Sequence, residues 1–433
     1  MAVDGAAVAA AGPGTLAVRY AIPGEQAHVE VVRIGPAPLG RIVALERRSP
    51  EATVPRCPHF GRCGGCQWQH ITPEGQRRFK TAMVVETLKG AGVREDLVSA
   101  CVGGAPWAYR NVLRATFDRR GEAVLAGFFG WGEQRLYNID TCPVQHPTNV
   151  RILQVIRDAV RTLGLAPFDR QRRTGVVRGL LGVSGVATGE ALAVLSTAVP
   201  LPDRMAFVRA VLDRVPGLVG LLQTVQPGGS TAFFGPHLTL LWGRRYLEDE
   251  ILGLRVRLAP PSSLPPNPGA LPVLLEAVAR AAELRGDDQI CDVFAESGLL
   301  PLALAQRVRR AVGVVTDSAA MKDAWAAAAR NGIANAVFYT RDPAKVLVKL
   351  HRRGERSDVI LAGPPGEGLP EALVEAVVAT GPRRLVYIGR SLPVTARDLI
   401  RLHRAGYMVA AVQPVDLDPQ TSHVHTVVAL RRG

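Results

Sequence analysis

The sequence predicts a doubly wound α/β domain in its C-terminal part, preceded by a mixed α+β central domain and a small N-terminal antiparallel β module. Three observations carry this prediction. Strands and helices alternate over the last third of the chain, a proline-rich stretch at 259–272 precedes them, and short apolar–polar alternation fills 15–46. We therefore expect domain boundaries at 1–50, 51–257 and 258–433.

The C-terminal alternation is regular enough to place each strand. A helix fits between most neighbouring strands, such as Ala319–Asn331, which Gly332 would end. Alternation of this kind predicts a largely parallel sheet whose ligands bind at the carboxyl ends of the strands. The expected strands are Gln289–Phe294, Ala311–Thr316, Ala336–Tyr339, Asp358–Leu361, Arg384–Ile388, Met408–Pro414 and Val424–Arg431.

The N-terminal and central parts have weaker patterns. Turns at Pro23-Gly24-Glu25 and Gly35-Pro36 separate the first short strands, which indicates a small antiparallel module. A helix is expected over Glu74–Ala91. Further strand candidates are Val124–Phe129, Leu180–Val186, Glu190–Ser196 and Gly217–Val225, with helices near 148–164 and 203–214.

The charge of the chain favours a polyanionic partner. The 433 residues carry a formal net charge of +14 and a pI near 10.1, which is typical of RNA- or DNA-binding proteins. Only five of the cations are lysines, so a genomic preference for arginine explains the charge equally well. No apolar run is long enough to span a membrane, and the N-terminus lacks the layout of a secretory signal. We expect a monomeric cytoplasmic protein.

Four cysteines predict a metal centre. Cys57, Cys63 and Cys66 lie within ten residues of one another, with glycines between them that let the loop fold back. Cys142, followed by a proline, is the best remote fourth ligand. Spacing alone leaves zinc, with His59 or His70 as possible ligands, and a four-iron cluster both open. Cys101 and Cys291 have the pattern of ordinary buried cysteines.

Over nearly its whole length the sequence resembles the RNA uracil-5-methyltransferases, which make 5-methyluridine in 23S rRNA and tRNA. Cys57, Cys63, Cys66 and Cys142-Pro143 match the iron–sulfur motif of the rRNA members, so the resemblance implies a 4Fe-4S cluster on these four thiolates. It also implies a class I methyltransferase-like, Rossmann-type C-terminal domain and a TRAM-like, OB-type N-terminal barrel that binds RNA. Supporting matches are Pro23-Gly24-Glu25, Tyr109-Arg110-Asn111, Val412–Leu417 and His423-Val424.

The catalytic motifs of that family are altered here. Its nucleophilic cysteine corresponds to Arg390, in Tyr387-Ile-Gly-Arg390 followed by Ala396-Arg397-Asp398, and an arginine stays protonated and cannot attack the base. Its general base, a glutamate, corresponds to His425, which can still act as a base. Its Asp-Pro-Pro-Arg motif has become Gly363-Pro364-Pro365-Gly366.

The site for the methyl donor, S-adenosylmethionine, is also altered. The glycine-rich turn of the family corresponds to Asp292-Val-Phe-Ala-Glu296-Ser-Gly298, so a carboxylate stands where the backbone should approach the donor. The ribose-binding acid corresponds to Val315, with Asp317 two residues on. Pro265, in Ser262-Ser263-Leu264-Pro265, replaces a glutamine of the family. The resemblance implies at most a degenerate donor site, formed by Asp292, Gly298 and Asp342.

These changes favour an RNA-binding, cluster-containing protein that has lost methyl transfer, with rRNA or tRNA as its partner. In that case Arg390 either contacts a phosphate or a base edge, or lies solvated at the mouth of an empty cleft. The alternative is an active, divergent methyltransferase with His425 as its base. A zinc-dependent scaffold without an RNA role is the third interpretation.

Overall fold

The structure is a computed structural model that describes residues 1–11, 14–228, 230, 232–260, 265–315 and 318–433. Thr316, Asp317 and residues 262–264, which figure in the sequence predictions above, lie outside the described residues.

The N-terminal residues form a small four-stranded sheet in the order β1-β2-β4-β3. Leu16 and Val18 are buried. Gly40 packs so closely against Val29 that a Cβ on this glycine would meet Val29 Cγ1 at 2.4 Å. The outer faces of β3 and β4 are largely exposed. The β module at this place agrees with the sequence pattern, whereas its closure into a barrel remains a prediction. The strands are β1 (Ala7–Ala11), β2 (Gly14–Val18), β3 (Gln26–Arg33) and β4 (Leu39–Arg47).

Helix α1 (Pro73–Lys89) follows the cysteine loop and leads to the short strand β5 (Val102–Gly103). The helix begins here because the Thr72 side chain accepts a hydrogen bond from the Gly75 amide, 3.1 Å away, and proline fits the first helical position. The apolar side of α1, including Met83 and Leu88, packs into the core of the C-terminal sheet. This part of the predicted central domain therefore shares its core with the C-terminal one.

The central residues form a sheet of seven described strands, in the order β12-β11-β10-β9-β6-β7-β8. Two helices, α2 (Pro147–Thr162) and α3 (Arg204–Val211), bury their apolar faces against it. A hairpin of β13 and β14 leads on to the last domain. The strands are β6 (Val112–Arg120), β7 (Ala123–Phe129), β8 (Leu136–Asn138), β9 (Val177–Ser184), β10 (Ala191–Thr197), β11 (Leu218–Val225), β12 (Leu238–Gly243), β13 (Leu247–Ile251) and β14 (Leu254–Leu258).

The C-terminal sheet confirms the predicted doubly wound fold. Its described strands follow the order β17-β16-β15-β18-β19-β21-β20-β5, and β21 alone runs antiparallel to both of its neighbours. The strands are β15 (Gln289–Asp292), β16 (Arg310–Val314), β17 (Ala336–Tyr339), β18 (Val359–Ala362), β19 (Arg384–Gly389), β20 (Tyr407–Asp416) and β21 (His425–Arg432). The helices are α4 (Leu271–Ala282), α5 (Leu299–Leu304), α6 (Ser318–Arg330), α7 (Pro343–Arg352), α8 (Glu371–Thr380) and α9 (Leu392–Arg404).

The strand order reverses between β15 and β18, because the chain runs outward to β17 and then returns to the other side of β15. In open α/β sheets, ligands bind in the crevice beyond the carboxyl ends of the strands at such a reversal. Asp292 and Gly363 lie at this edge. None of the helices in the described ranges is long and apolar enough to cross a membrane.

Candidate functional site

The cysteine loop is pressed against the turn between β7 and β8. The Gly64 amide donates to the Phe129 carbonyl at 2.9 Å. A Cβ on Gly64 would meet the backbone of residues 129–131 at 2.7–2.9 Å, so only glycine fits. Gly61 adopts a positive φ of 82°, which also favours glycine. These glycines let the loop turn back toward Cys142.

All four predicted cysteines line one cavity of about 460 Å³. Burial raises the pKa of each thiol, to about 11 for Cys63 and about 12 for Cys66. The neighbouring thiols add to this rise for Cys63 and Cys66, which agrees with their closeness. The Gly65 amide donates to the Cys63 Sγ at 3.4 Å. The cavity therefore holds four protonated thiols at neutral pH, and a bound metal would have to displace those protons.

The two candidate histidines differ in position. His59 lines the cysteine cavity. His70 instead packs its ring near those of Phe60 and Tyr20, with centroids 5.4 and 6.2 Å away, and burial lowers its pKa to about 4. Within the described ranges, no group of three or more histidine, cysteine or acidic side chains is arranged to hold a metal ion. Cys101 and Cys291 are buried in the core away from the cavity, as the sequence suggested.

The segment between β20 and β21 joins the cysteine loop to the C-terminal sheet. The Gln420 carbonyl accepts hydrogen bonds from the amides of Gln67 and Trp68, at 3.1 and 3.0 Å. The Tyr109 hydroxyl donates to the Pro419 carbonyl at 2.8 Å. The same segment continues into His425 at the start of β21. The surroundings of the cysteines and of the cleft are thus built on one stretch of backbone.

A buried ion pair reinforces this junction. Lys80 on α1 is fully buried, and its Nζ lies 2.5 Å from Asp416 Oδ1 at the end of β20. Nζ also donates to the Asp418 carbonyl at 3.2 Å. Burial raises the pKa of Asp416, although the Lys80 charge opposes the rise. No sequence pattern singled out Lys80, since a lysine on an amphipathic helix is usually solvated.

At the switch point, Asp292 ends β15 and accepts a hydrogen bond from the Phe294 amide at 3.1 Å. Burial raises the pKa of this carboxyl to about 7, and the nearby Glu296 adds to the effect. Gly298 has a φ of 77°, and a Cβ there would meet Ala324 and Phe338 at 2.8 and 2.9 Å. Asp292 and Gly298 thus shape the turn where the donor was predicted to bind.

Glu296 and Arg390, the two most disruptive replacements, contact each other. The Arg390 guanidinium follows the end of β19, and its Nη2 lies 2.6 Å from Glu296 Oε1. Glu296 adopts a left-handed φ of 47°, which is unusual for a residue with a side chain. It lines a cavity of about 310 Å³ on one side, together with Val315, and one of about 130 Å³ on the other, together with Arg390 and Pro265.

His425 and the Ala396-Arg397-Asp398 motif have separate environments. Burial lowers the pKa of His425 to about 4, so its imidazole is neutral at physiological pH. Asp398 is fully buried and accepts hydrogen bonds from the Tyr387 hydroxyl at 3.0 Å and the Leu369 amide at 2.8 Å. This aspartate therefore fixes the end of β19 from which Arg390 projects.

Asp342, the third predicted donor-site residue, lies beside the cleft, between Arg341 and Pro343, which line its cavity of about 310 Å³. It precedes α7, and its carboxylate accepts a hydrogen bond from the Lys345 amide at 3.0 Å, as an N-cap. It lines neither of the two cavities. Its part in donor binding remains a prediction.

The relatives of this chain are RNA methyltransferases. An uncharacterized RNA methyltransferase of Halalkalibacterium halodurans is 32% identical over 431 residues, covering 99% of this chain and 94% of the relative. One from Bacillus cereus is 30% identical over 433 residues, with the same coverage. No family model matches the sequence.

Among solved structures, the tRNA (uracil-54, C5)-methyltransferase of Pyrococcus abyssi, in complex with S-adenosyl-L-homocysteine, aligns with a TM-score of 0.76. The match covers 96% of this chain and 95% of that one at 20% identity. The fold is therefore that of an S-adenosylmethionine-dependent methyltransferase with a Rossmann-like sheet. The sequence relatives place the chain in the RNA methyltransferase family, and the fold is shared with a tRNA (uracil-54, C5)-methyltransferase.

Proposed function

We propose that this protein is an RNA-binding, iron–sulfur-containing member of its family that has lost methyl transfer. The Glu296–Arg390 ion pair is the observation that carries this proposal. The family resemblance aligns Arg390 with the nucleophile and Glu296 with a glycine of the donor turn, where its carboxylate would lie near that of the donor, and these two side chains are paired. An arginine cannot add to a pyrimidine ring, and two carboxylates in one turn repel each other.

The RNA partner is proposed to be rRNA or tRNA. The relatives carry the name RNA methyltransferase, and the Pyrococcus abyssi enzyme acts on uracil 54 of tRNA. The net charge of +14 agrees with a phosphate-rich partner. The N-terminal sheet would act as a TRAM-like RNA-binding barrel, with its exposed β3 and β4 available to RNA.

The donor set of the cysteine cavity, four thiols, suits a 4Fe-4S cluster, and because these thiols are not arranged around one centre in the described residues, binding would have to draw them together. Cys57, Cys63, Cys66 and Cys142 would hold it, and it would cross-link the cysteine loop to the segment after β8. Arg110 lines the same cavity and would offset part of the negative charge of four thiolates. Zinc, the alternative, needs its four ligands about 2.3 Å from one centre, whereas a cavity of about 460 Å³ offers more room than one ion fills.

Residual methyl transfer is the second candidate function. The neutral imidazole of His425 is able to accept a proton, and the cavity of about 310 Å³ beside Val315 is open to a small molecule. Against this candidate, a pKa of about 4 makes His425 a weak base, and no nucleophile stands at position 390.

The two candidates separate in one experiment. The protein, purified without oxygen, is incubated with 23S rRNA and tRNA transcripts and with S-adenosylmethionine carrying a tritiated methyl group. We expect RNA to be retained on a filter without tritium entering the RNA. Incorporation above a protein-free blank would establish the divergent methyltransferase, and absence of RNA retention would refute the RNA-binding proposal.

A further inference from the structure

We propose that the exposed face of α7 is a second RNA-contacting surface, which binds consecutive phosphates outside the cleft. Lys345, Lys349 and Arg352 are spaced by four and three residues, so they project from one side of the helix, and Arg353 follows. We call these four residues the α7 basic stripe. This inference rests on the proposed RNA binding and locates part of the RNA-binding surface on α7.

The α7 basic stripe lines a groove of about 760 Å³ between α7 and α8. The floor of the groove is made of small apolar residues such as Ala344, Val348 and Ala376, and Glu375 is the acid on its rim. A concave, narrow surface with cations along one wall suits a nucleic-acid backbone. It lacks the large apolar side chains with which a peripheral protein enters a membrane.

The helix dipole is an ordinary cause for Lys349 and Arg352 in the last turn of α7, but it does not account for Lys345 or for the lack of partners along the stripe. Across the described residues, the side chains of Lys345, Arg352 and Arg353 have no hydrogen-bond or ion-pair partner, and Lys349 only approaches the Tyr339 ring, at 6.0 Å. Elsewhere arginines are commonly engaged, as Arg401 on α9 is with the Leu369 carbonyl. The helix dipole favours cations in the last turn, but Lys345 lies in the first turn, where a cation is unfavourable.

The composition and position of the stripe support the same conclusion. Two of the five lysines of the chain, Lys345 and Lys349, stand on this one face, although the sequence otherwise uses arginine. The stripe is also continuous with the cleft, because Arg341 and Pro343, just before it, line the cavity of about 310 Å³. An RNA segment entering the cleft would reach α7 with its next phosphates.

The test is a salt series of binding to a fluorescein-labelled single-stranded RNA, followed by fluorescence anisotropy. The variant Lys345→Gln/Lys349→Gln/Arg352→Gln should bind about tenfold more weakly near physiological salt. The slope of log affinity against log salt should fall by about 2, since each lost phosphate contact on a single strand removes about 0.7. The variant Lys345→Arg/Lys349→Arg should bind like the wild type, because the charge is kept.

The matched control is Lys89→Gln/Arg209→Gln/Arg431→Gln, which removes three exposed charges elsewhere and should leave the slope nearly unchanged. Melting temperatures equal to that of the wild type would show that both triple variants keep the fold. If the wild type binds RNA and the α7 variant keeps its affinity and slope, this inference is wrong and the proposed function stands. If the wild type binds no RNA, both fail. Binding to phosphatidylserine vesicles but not to RNA would assign the stripe to membranes instead.

Discussion

The same segment between β20 and β21 supports the cysteine cavity and the predicted methyl-donor cleft. The two sites differ in how many of the family's functional residues they retain. Around the cavity, the four cysteines that match the family motif are present and line one space, although they are not arranged around one metal centre in the described residues. In the cleft, the replacements Glu296 and Arg390 bind each other. The contacts that build both regions, such as Tyr387–Asp398 and Lys80–Asp416, are in place. A fold can therefore keep the contacts that support a site while the residues that carry its chemistry are replaced.

The forces in the two regions also differ. Burial raises the pKa values of the cysteine thiols, so a metal group would have to compete with tightly held protons for these ligands. The Glu296–Arg390 pair is about half exposed, and such pairs contribute only about 0–1 kcal/mol to stability. The pair therefore contributes little to the stability of the fold, and its proposed effect is on what the cleft binds.

The largest expected effect comes from removing one thiol of the cavity. Cys66→Ser should abolish the cluster, seen as loss of iron, of acid-labile sulfide and of the brown colour after anaerobic purification, because a 4Fe-4S cluster needs four thiolates. The control Cys101→Ser alters a buried cysteine outside the cavity and should keep the full content. A colourless wild type loaded with zinc would contradict the cluster and leave the zinc alternative.

In the cleft, Asp292→Asn should change how stability depends on pH. The pKa of Asp292 is raised to about 7, against an ordinary value near 4, so the folded state holds an extra proton between these values. The free energy of unfolding of the wild type should therefore fall as pH rises through this window, whereas asparagine does not titrate. The free energy of unfolding of the variant minus that of the wild type should therefore be up to about 4 kcal/mol more positive at about pH 8 than at about pH 4. Urea unfolding at both pH values measures this, and a difference independent of pH would refute it.

Backbone packing of the cysteine loop gives the next effect. Gly64→Ala forces a Cβ into the backbone of residues 129–131 and should cost about 1–3 kcal/mol, together with part of the cluster content. Gly65→Ala is the matched control, since the nearest atom to its Cβ is Cys63 Sγ at 3.5 Å, an ordinary contact. Thermal unfolding and iron analysis of both variants test this, and equal behaviour of the two would contradict the packing of the loop.

The smallest effect is expected for the donor turn. Glu296→Gly relieves a left-handed backbone that costs about 1–2 kcal/mol and loses an exposed pair worth about 0–1 kcal/mol, so stability should rise by about 1 kcal/mol. Glu296→Gln keeps the backbone strain and loses only the charge, so it should be slightly less stable than the wild type. Destabilisation of Glu296→Gly by more than about 2 kcal/mol in urea unfolding would mean that Glu296 holds the turn together.

The sequence predicted the C-terminal sheet well because strand–helix alternation is a local pattern. Helix Ala319–Asn331 was expected and α6 spans Ser318–Arg330. Strand β6 was missed, although Leu113, Ala115 and Phe117 alternate with exposed or partly exposed residues in the pattern of a half-buried strand. The two-residue strand β5 has no such pattern and forms only because β20 offers it a partner.

The sequence predicted which residues belong to the candidate site, but it did not predict which of them contact each other. The family resemblance singled out both Glu296 and Arg390, yet their ion pair depends on β15 and β19 ending on either side of β18. Lys80 and Asp416 are 336 residues apart in the chain, so their pairing needs the complete fold. Asp342 resembled a donor ligand by position alone, whereas its carboxylate caps a helix.

We propose that the cleft no longer binds the methyl donor, whereas the four cysteines still line one cavity. Titration of the anaerobically purified wild type with S-adenosylmethionine in a calorimeter tests it most directly, with Glu296→Gly titrated in parallel. We expect no heat of binding for the wild type and any gain of affinity only in the variant. Micromolar binding by the wild type would contradict it, and would return the protein to the active methyltransferases.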